Sequence, residues 1–311
     1  MEAMSPREAM SPVRLSTRYG ALLAIGLLTA VACGDAGQRA SEASVPSQAL
    51  ATAPPPEGMV RVPAGAVPRP GGDRQVAAFD LDAYEVTNRD FAEFVETTGF
   101  VTEAERWGWS LVFHPEATAN PDQEQRVAPT PWWLAVEGAY WRQPRGPGSE
   151  AEADLPAVHV SWGDAKAYCE WSGKRLPTEA EWDLAAGAGN ASEGHSRYPW
   201  GNEPAPEGEW VANVWQGDFP GRDDAVDGHT YLAPVGSYPP NALGVFDLGG
   251  NVWEWCDDWY HPGGAGGEKV LKGGSWLCAA SYCEGYRNAN RNHSAPDSGL
   301  DNTGFRCARS M

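Results

Sequence analysis

The chain has 311 residues, 42% of them hydrophobic, and a formal net charge of −19. A surface this acidic repels phosphate backbones, which argues against nucleic acid as a partner. The 15 Trp, 36 Gly and 26 Pro, together with little sustained helical periodicity, favour a loop-rich α+β fold stabilised by aromatic packing.

The N-terminus has the pattern of an export signal. Arg14 and Arg18 precede the apolar stretch YGALLAIGLLTAVAC, which has the length of a signal-peptide core and is short for a membrane span. The stretch ends in small residues before Cys33, so residues 1–33 resemble a lipoprotein signal in which Cys33 is lipidated. An ordinary signal peptide cleaved nearby is the alternative. In both cases we expect an exported protein, and lipidation of Cys33 would anchor it to the membrane at the periplasmic face or cell surface.

Residues 34–57 form a segment of Ala, Ser and Pro with almost no bulky apolar side chains. This composition is typical of a flexible tether. No comparable linker or internal repeat follows, so we expect one domain over residues 58–311.

The domain begins with a predicted strand, MVRVPAG, followed by a predicted helix in EVTNRDFAEFVETTG. Thr87 or Asn88 can cap this helix, and Phe91, Phe94 and Val95 share one face of it. Two or three such helices against a small, twisted sheet would give the α+β architecture.

Two more helices are predicted in the middle of the chain. The first lies in SWGDAKAYCEWSG, with Gly173 as its stop. Its apolar face contains Ala165, Tyr168, Cys169 and Trp171. The second lies in PTEAEWDLAA, where Thr178 and Glu181 match a capping box.

Six segments then occur in order: RLPTEAEWDLAA, YPWGN, ANVWQGDFP, GNVWEW, KGGSW and GFRCA. They resemble the signature segments of the formylglycine-generating enzyme family, the sulfatase-modifying factors, from about Gly58 to the C-terminus. The resemblance implies a C-type-lectin-like fold with little regular secondary structure. Because one fold can carry different functions, the activity has to be argued from the cysteines.

Cys278 and Cys283 lie five residues apart in GGSWLCAASYC. From spacing alone they can form a disulfide across a short loop, or act as two thiolates that bind a soft ion such as Cu(I). An odd number of cysteines, five, remains after Cys33, so at least one is unpaired or pairs elsewhere.

The resemblance favours the working thiol pair. It implies that Cys278 and Cys283 bind copper(I), with Ser275 and Tyr282 lining the same site. We expect Cys278 to be the more exposed, exchange-prone thiol and Cys283 the steadier ligand.

The implied reaction uses O2 to oxidise a cysteine in a Cys-x-Pro-x-Arg motif of a nascent or unfolded sulfatase. Hydrolysis of the resulting thioaldehyde gives Cα-formylglycine, which activates the sulfatase. Trp253 and Asn302 would line the peptide groove. Trp109 stands where some members have an acidic groove residue, and Ala280 where many have Arg. These departures leave the peptide specificity open.

The resemblance places a structural disulfide between Cys169 and Cys307. A second pair known in some members is absent here, where Ala185 or Ala186 and Asn288 occupy that region. Cys256, in WEWCDDW, has no assigned partner, and we expect a buried apolar thiol.

Two loops rich in carboxylates, amides and glycines could be solvated acidic turns or could bind structural calcium. The resemblance favours two calcium ions. The first set of ligands would be Asn213, Val214, Asp227 and His229. The second set would be Asp247, Leu248, Gly250, Val252 and Glu254.

Two alternatives belong to other functional classes. An iron-dependent sulfoxide synthase would need a histidine pair, whereas His159 and His195 are isolated and read as packed or surface residues. An exported lectin-like binding module of the same fold would have Cys278 and Cys283 closed as an inert disulfide. Family precedent implies a monomer.

Overall fold

The structure is a computed structural model that describes residues 54–69, 71–114, 126–127, 130–187 and 196–311. The predictions for Cys33, for the signal segment, for most of the tether and for His195 lie outside these residues. None of the helices described is long and apolar enough to cross a membrane.

The described chain contains four α-helices and fourteen short strands. The helices are α1 (Asn88–Thr98), α2 (Glu103–Trp107), α3 (Trp162–Trp171) and α4 (Glu179–Gly187). The first seven strands are β1 (Met59–Val62), β2 (Gly65–Val67), β3 (Arg74–Val76), β4 (Phe79–Asp82), β5 (Trp109–Phe113), β6 (Arg126–Val127) and β7 (Thr130–Glu137). The others are β8 (Gly217–Asp218), β9 (Arg222–Asp223), β10 (Trp253–Trp259), β11 (Lys269–Lys272), β12 (Asn292–Ser294), β13 (Thr303–Gly304) and β14 (Ala308–Ser310).

Helix α1 begins and ends where local sequence signals place it. Thr87 is the N-cap and forms a capping box with Asp90, and Gly99 closes the helix in the left-handed conformation with φ 68°. Phe91 and Phe94 are buried, which confirms the predicted apolar face.

The two predicted middle helices are also present. Helix α3 buries Ala165, Tyr168 and Cys169, as predicted, but its C-cap is Ser172 and not Gly173, which follows with φ 70°. Thr178 and Glu181 form the predicted capping box at the start of α4, with the Thr178 N–H donating to the Glu181 carboxylate over 2.8 Å.

The strands form five small sheets within the described residues, whereas the sequence suggested a single small one. Strands β1, β4 and β14 join the start of the domain to the C-terminus. Strand β10, which contains the WEW motif, lies between β11 and β13 in a four-stranded sheet. The loop that contains Cys278 and Cys283 follows β11 of this sheet, and Asn302 directly precedes β13.

A disulfide joins Cys169 of α3 to Cys307, just before β14, as the resemblance implied. Its two residues are separated by 138 positions, and both are fully buried. The bond therefore closes a large loop through the aromatic core, where Phe91, Tyr168 and Phe305 pack together.

A buried ion pair fixes β10 to the GFRCA segment. The guanidinium of Arg306 donates to both carboxylate oxygens of Glu254, over 2.8 and 2.7 Å, and neither side chain is exposed. The indole N–H of Trp182 donates to the same carboxylate over 2.9 Å. Because a buried charge is costly without such partners, this contact explains why both motifs need charged residues in an apolar core.

Candidate active site

The two candidate catalytic cysteines lie on one loop after β11. Gly273 and Gly274 start this loop with φ values of 92° and 77°. A Cβ at Gly274 would lie 2.5 Å from the Tyr286 backbone nitrogen, so this close approach requires glycine. The Cys278 N–H then donates to the Ser275 carbonyl, and the Cys283 N–H donates to the Ala279 carbonyl. We call residues 273–286 the cysteine loop.

In the structure Cys278 and Cys283 are joined as a disulfide, with their Cα atoms 5.1 Å apart. That Cys278 and Cys283 act as free thiols therefore stays a prediction. The expected exposure is wrong, because Cys278 is only 1% exposed, while Cys283 is half-buried. Cys283 is therefore the more exposed residue of the pair.

Trp253 packs directly against the cysteine pair. A Cβ built on Gly285 would lie 2.5 Å from the Trp253 ring and 2.8 Å from the Cys278 sulfur, so both atoms crowd the same glycine. Trp253 is buried, so it forms the floor of the site and not an open wall. Asn302 is also buried, and its amide donates to the Ser275 hydroxyl over 3.0 Å.

Tyr282 forms an exposed aromatic wall beside the pair. Its ring is 51% exposed and stacks on Phe219 with the centroids 4.3 Å apart. Trp132 packs edge-on against both rings. Trp132 and Phe219 were not predicted as site residues, because they come from distant segments that only the tertiary structure brings together.

Trp109 lines a separate cavity of about 230 Å³, which we call the Trp109 pocket. Its walls include Trp107, Trp109, Ser110, His159, Ser298 and Gly299. Two carboxylates, Glu103 and Asp297, also line it. Asp297 makes no ion pair with any residue in the described part of the chain. An aromatic pocket with an unpaired carboxylate is suited to a cationic side chain.

The segment from Gly299 to Asn302 connects the Trp109 pocket to the cysteine loop. The Ser110 hydroxyl oxygen lies 3.0 Å from the Gly299 carbonyl oxygen, and Leu111 forms a β-bridge with Leu300. Asn302 then reaches Ser275 on the cysteine loop. The structure therefore places the predicted residues Trp109, Asn302, Ser275 and Tyr282 along one connected region.

Some of the ligands predicted for the first calcium ion lie close together in the structure. The amide of Gln216 contacts both the Val214 carbonyl and the Asp227 carboxylate, so these two oxygens face a common point. The Val214 and His229 N–H groups also donate to Asp227. Asn213 instead uses its amide N–H to bind the Tyr231 carbonyl, which leaves its oxygen available. This oxygen-rich set fits a calcium ion if Gln216 moves aside.

The second predicted calcium set fits less well. Glu254 does not fit a cation here, because Arg306 and Trp182 already donate to its carboxylate. Asp247 accepts the Gly236 N–H over 2.7 Å, and burial raises the pKa of its carboxyl to about 6. The remaining ligands would be the carbonyls of Leu248, Gly250 and Val252.

Two other predictions concern single residues. Cys256 is fully buried, which confirms the expected apolar thiol, and burial raises its pKa well above the usual value. His159 is buried and bonded to the Ser110 hydroxyl and the Pro144 carbonyl, as expected of a packed histidine. Among the residues that the structure describes, no group of three or more His, Cys, Asp and Glu is arranged to hold a metal ion.

Residues 43–311 match the family model of the sulfatase-modifying factor enzyme 1-like domain, and the chain belongs to this family. The fold is therefore the loop-rich, C-type-lectin-like α+β fold that the motifs predicted. Among solved structures, PvdO from Pseudomonas aeruginosa is similar with a TM-score of 0.53 and 26% identity, covering 81% of this chain and 94% of that one.

Two curated relatives are similar over most of their length. The formylglycine-generating enzyme of Thermomonospora curvata is 46% identical over 285 residues, which cover 81% of this chain and 93% of that protein. The inactive C-alpha-formylglycine-generating enzyme 2 of Mus musculus is 45% identical over 247 residues, which cover 78% of each. Overall identity therefore does not separate active from inactive members, and the site has to decide.

Proposed function

We propose that this protein activates sulfatases by oxidising the cysteine of a Cys-x-Pro-x-Arg motif to Cα-formylglycine with copper and O2. The observation that carries the proposal is the cysteine pair itself. Cys278 and Cys283 have adjacent sulfur atoms on one loop, Cys283 is half-buried, and the segment from Gly299 to Asn302 links this loop to a pocket suited to a cation. The family membership supports the sulfatase substrate.

Copper would be held by the two sulfurs after two-electron reduction of the disulfide to thiols. Two adjacent thiolates are a soft donor set of the kind that Cu(I) prefers. When bound, Cu(I) would supply the activation of O2 and the oxidation of the substrate thiol. The substrate would reach the copper from the side of Cys283. Trp253 and Asn302 would keep the cysteine loop rigid through their contacts with it.

Substrate binding would use the aromatic wall and the Trp109 pocket. Tyr282 and Phe219 present apolar rings beside Cys283, which can cover the motif and exclude water from the reacting sulfur. The motif's arginine would enter the Trp109 pocket, where Trp109 and Trp107 offer cation–π contacts and Asp297 an opposite charge. In this chain an aromatic ring would thus take the place of the acidic groove residue of other members.

The test is an oxidation assay on protein reduced under nitrogen and loaded with Cu(I). The substrate is the capped peptide Leu-Cys-Thr-Pro-Ser-Arg, and mass spectrometry follows the replacement of CH2SH by CHO. We expect conversion that requires both copper and O2. No conversion with verified free thiols at Cys278 and Cys283 would refute the proposal.

The alternative is a binding module without catalysis. The closed Cys278–Cys283 disulfide of the structure is the state that this alternative requires, and inactive relatives exist at similar identity. The two proposals differ in one observable property. The catalytic proposal expects the pair to exchange with an added substrate thiol, and the binding module expects it to stay closed.

We also propose a structural calcium ion at Asn213, Val214, Asp227 and His229. Calcium would replace the Gln216 contacts and fix the loop that ends near Tyr231, behind the cysteine loop. Adding calcium should raise the melting temperature of the wild type but not that of Asp227→Ala. Equal shifts for both proteins would refute this site.

Export and membrane anchoring rest on the N-terminal sequence alone, and we propose lipidation at Cys33. In a bacterial host the wild type should fractionate with membranes, whereas Cys33→Ser should be released in soluble form. Identical fractionation of the two proteins would contradict a lipid anchor at Cys33.

A further inference from the structure

Asp301 is a buried carboxyl that the proposed chemistry does not use. It lies in the segment between the Trp109 pocket and the cysteine loop, and it has no exposed surface. One carboxylate oxygen accepts the Phe113 N–H over 3.0 Å and lies 3.5 Å from the guanidinium of Arg145. The other oxygen is buried without a hydrogen-bond partner among the described residues. Such an arrangement is unusual for a carboxylate with only a packing role.

Two residues from other segments, Arg145 and Tyr231, face this carboxyl, and His159 lies near Arg145. Arg145, in the turn after β7, is a permanent cation. Tyr231 packs under Arg145, and burial together with the charge of Asp301 raises its pKa far above the usual value. Burial, with a smaller contribution from Arg145, lowers the pKa of His159 to about 4. Near neutral pH, Arg145 therefore stays charged, while Tyr231 and His159 stay neutral.

The backbone around Asp301 joins the two halves of the proposed site. Its N–H donates to the Leu111 carbonyl of β5 over 3.2 Å, and its carbonyl accepts the Trp276 indole N–H over 3.5 Å. Strand β5 begins at Trp109, and Trp276 belongs to the cysteine loop. The Asp301 backbone therefore contacts both strand β5 and the cysteine loop.

We infer that Asp301, paired with Arg145, is a positioning residue that holds strand β5 and the Trp109 pocket in the peptide-binding geometry when its carboxyl is ionised. This role rests on the proposed function. Hydrogen bonds to an ionised acceptor are shorter and stronger than those to a neutral one, so the ionised form holds the Phe113 N–H more firmly. It also neutralises Arg145, which would otherwise repel the arginine of the peptide.

Ionisation of Asp301 fixes the direction in which peptide affinity changes with pH. Burial raises the pKa of Asp301 to about 7, despite the lowering effects of Arg145 and the Phe113 N–H. The carboxyl is therefore mostly ionised at pH 8 and mostly protonated at pH 6. Peptide affinity should rise as the pH increases through 7.

The experiment measures binding of the capped peptide Leu-Ser-Thr-Pro-Ser-Arg at pH 6 and pH 8 by calorimetry. Serine replaces cysteine so that the peptide itself does not titrate. For the wild type we expect affinity about fivefold higher at pH 8, a difference of the size of one ordinary hydrogen bond, because protonation weakens the bond to the Phe113 N–H without removing it. The Asp301→Asn variant should bind the peptide with the same affinity at pH 6 and pH 8. That affinity should equal the weaker one that the wild type shows at pH 6.

Turnover of the cysteine peptide gives a second readout. Asp301→Asn should raise KM at pH 8 and leave kcat within about twofold, because the residue is proposed to position the groove and not to react. The control is Asp154→Asn, which removes an exposed carboxylate paired with Arg89 and should keep the wild-type pH dependence. The Asn variant should fold, since it buries no charge.

The outcomes separate this inference from the proposed function. A wild type that oxidises the peptide but binds it equally at both pH values overturns the role of Asp301 alone. So does an Asp301→Asn variant that keeps the wild-type pH dependence. A wild type that neither binds nor oxidises the peptide overturns the proposed function, and the role of Asp301 with it.

Discussion

The two cysteine pairs of this protein are both bonded in the structure, but they lie in opposite settings. Cys169 and Cys307 are 138 positions apart and fully buried among aromatic rings. Cys278 and Cys283 are five positions apart on one loop, and Cys283 is half-buried at the surface. The same covalent bond therefore has two different physical surroundings in one domain.

This difference separates a structural disulfide from a candidate reactive one. Cross-linking a long loop restricts the unfolded chain much more than cross-linking a short loop, so the first pair should carry most of the stabilisation. Thiol–disulfide exchange needs access for an attacking thiolate, which only the second pair offers. The predictions below test this division of roles.

The largest expected effect is on turnover. Cys278→Ser and Cys283→Ser should each abolish peptide oxidation, because a hydroxyl does not replace a thiolate as a soft ligand for Cu(I). Each variant should keep the native circular dichroism spectrum, since neither residue serves the Cys169–Cys307 bond. Unfolding of either variant would show that the surface pair is structural after all.

The second prediction concerns stability. Replacing both Cys169 and Cys307 by Ser should lower the free energy of unfolding by about 5 kcal/mol, and replacing both Cys278 and Cys283 by about 2 kcal/mol, from the loop lengths alone. Urea unfolding measures both costs, with the m-value fitted separately for each variant because removing a cross-link lets the unfolded chain expand. Equal costs for the two double variants would contradict the comparison.

The smallest expected effect comes from a single methyl group beside the surface pair. In Gly285→Ala the new Cβ would press on Trp253 and on the Cys278 sulfur, because both lie within 2.8 Å of its position. Overpacking of this kind costs roughly 1–3 kcal/mol of stability. Displacing the sulfur should also lower kcat about 10- to 100-fold.

The matched control is Gly163→Ala in α3, the helix that carries Cys169. There the nearest atom to the added Cβ is the Ser161 hydroxyl at 3.5 Å, an ordinary contact. Alanine favours the helix by up to about 1 kcal/mol, so we expect wild-type turnover and equal or higher stability. If Gly285→Ala behaved like this control, Trp253 and Cys278 would not be packed as the structure shows.

The sequence was sufficient for features that depend on neighbouring residues. The cap at Thr87 and the capping box at Thr178 involve residues three positions apart, and both follow from the local pattern. The sheets were not foreseen as five separate units. Strand β4 pairs with β14 at the far end of the chain, and no local signal encodes such a pairing.

For the candidate site, the sequence supplied the chemistry but not the surroundings. Cys278, Cys283, Ser275 and Asn302 were identified from motifs, and the structure brings them together. The exposure of the two cysteines was predicted in the wrong order. Burial of Cys278 depends on Trp253 and the turn at Gly285, which reach it only through tertiary packing.

By itself the sequence determined the family, the caps at Thr87 and Thr178 and the residues able to do thiol chemistry, because these are properties of residue type and short spacing. The tertiary structure alone decided which sulfur faces solvent, that Arg306 occupies the carboxylate of Glu254, and that Asp301 lies between the pocket and the cysteine loop. The physical reason is that burial and electrostatic pairing depend on segments that are distant along the chain and adjacent only after folding.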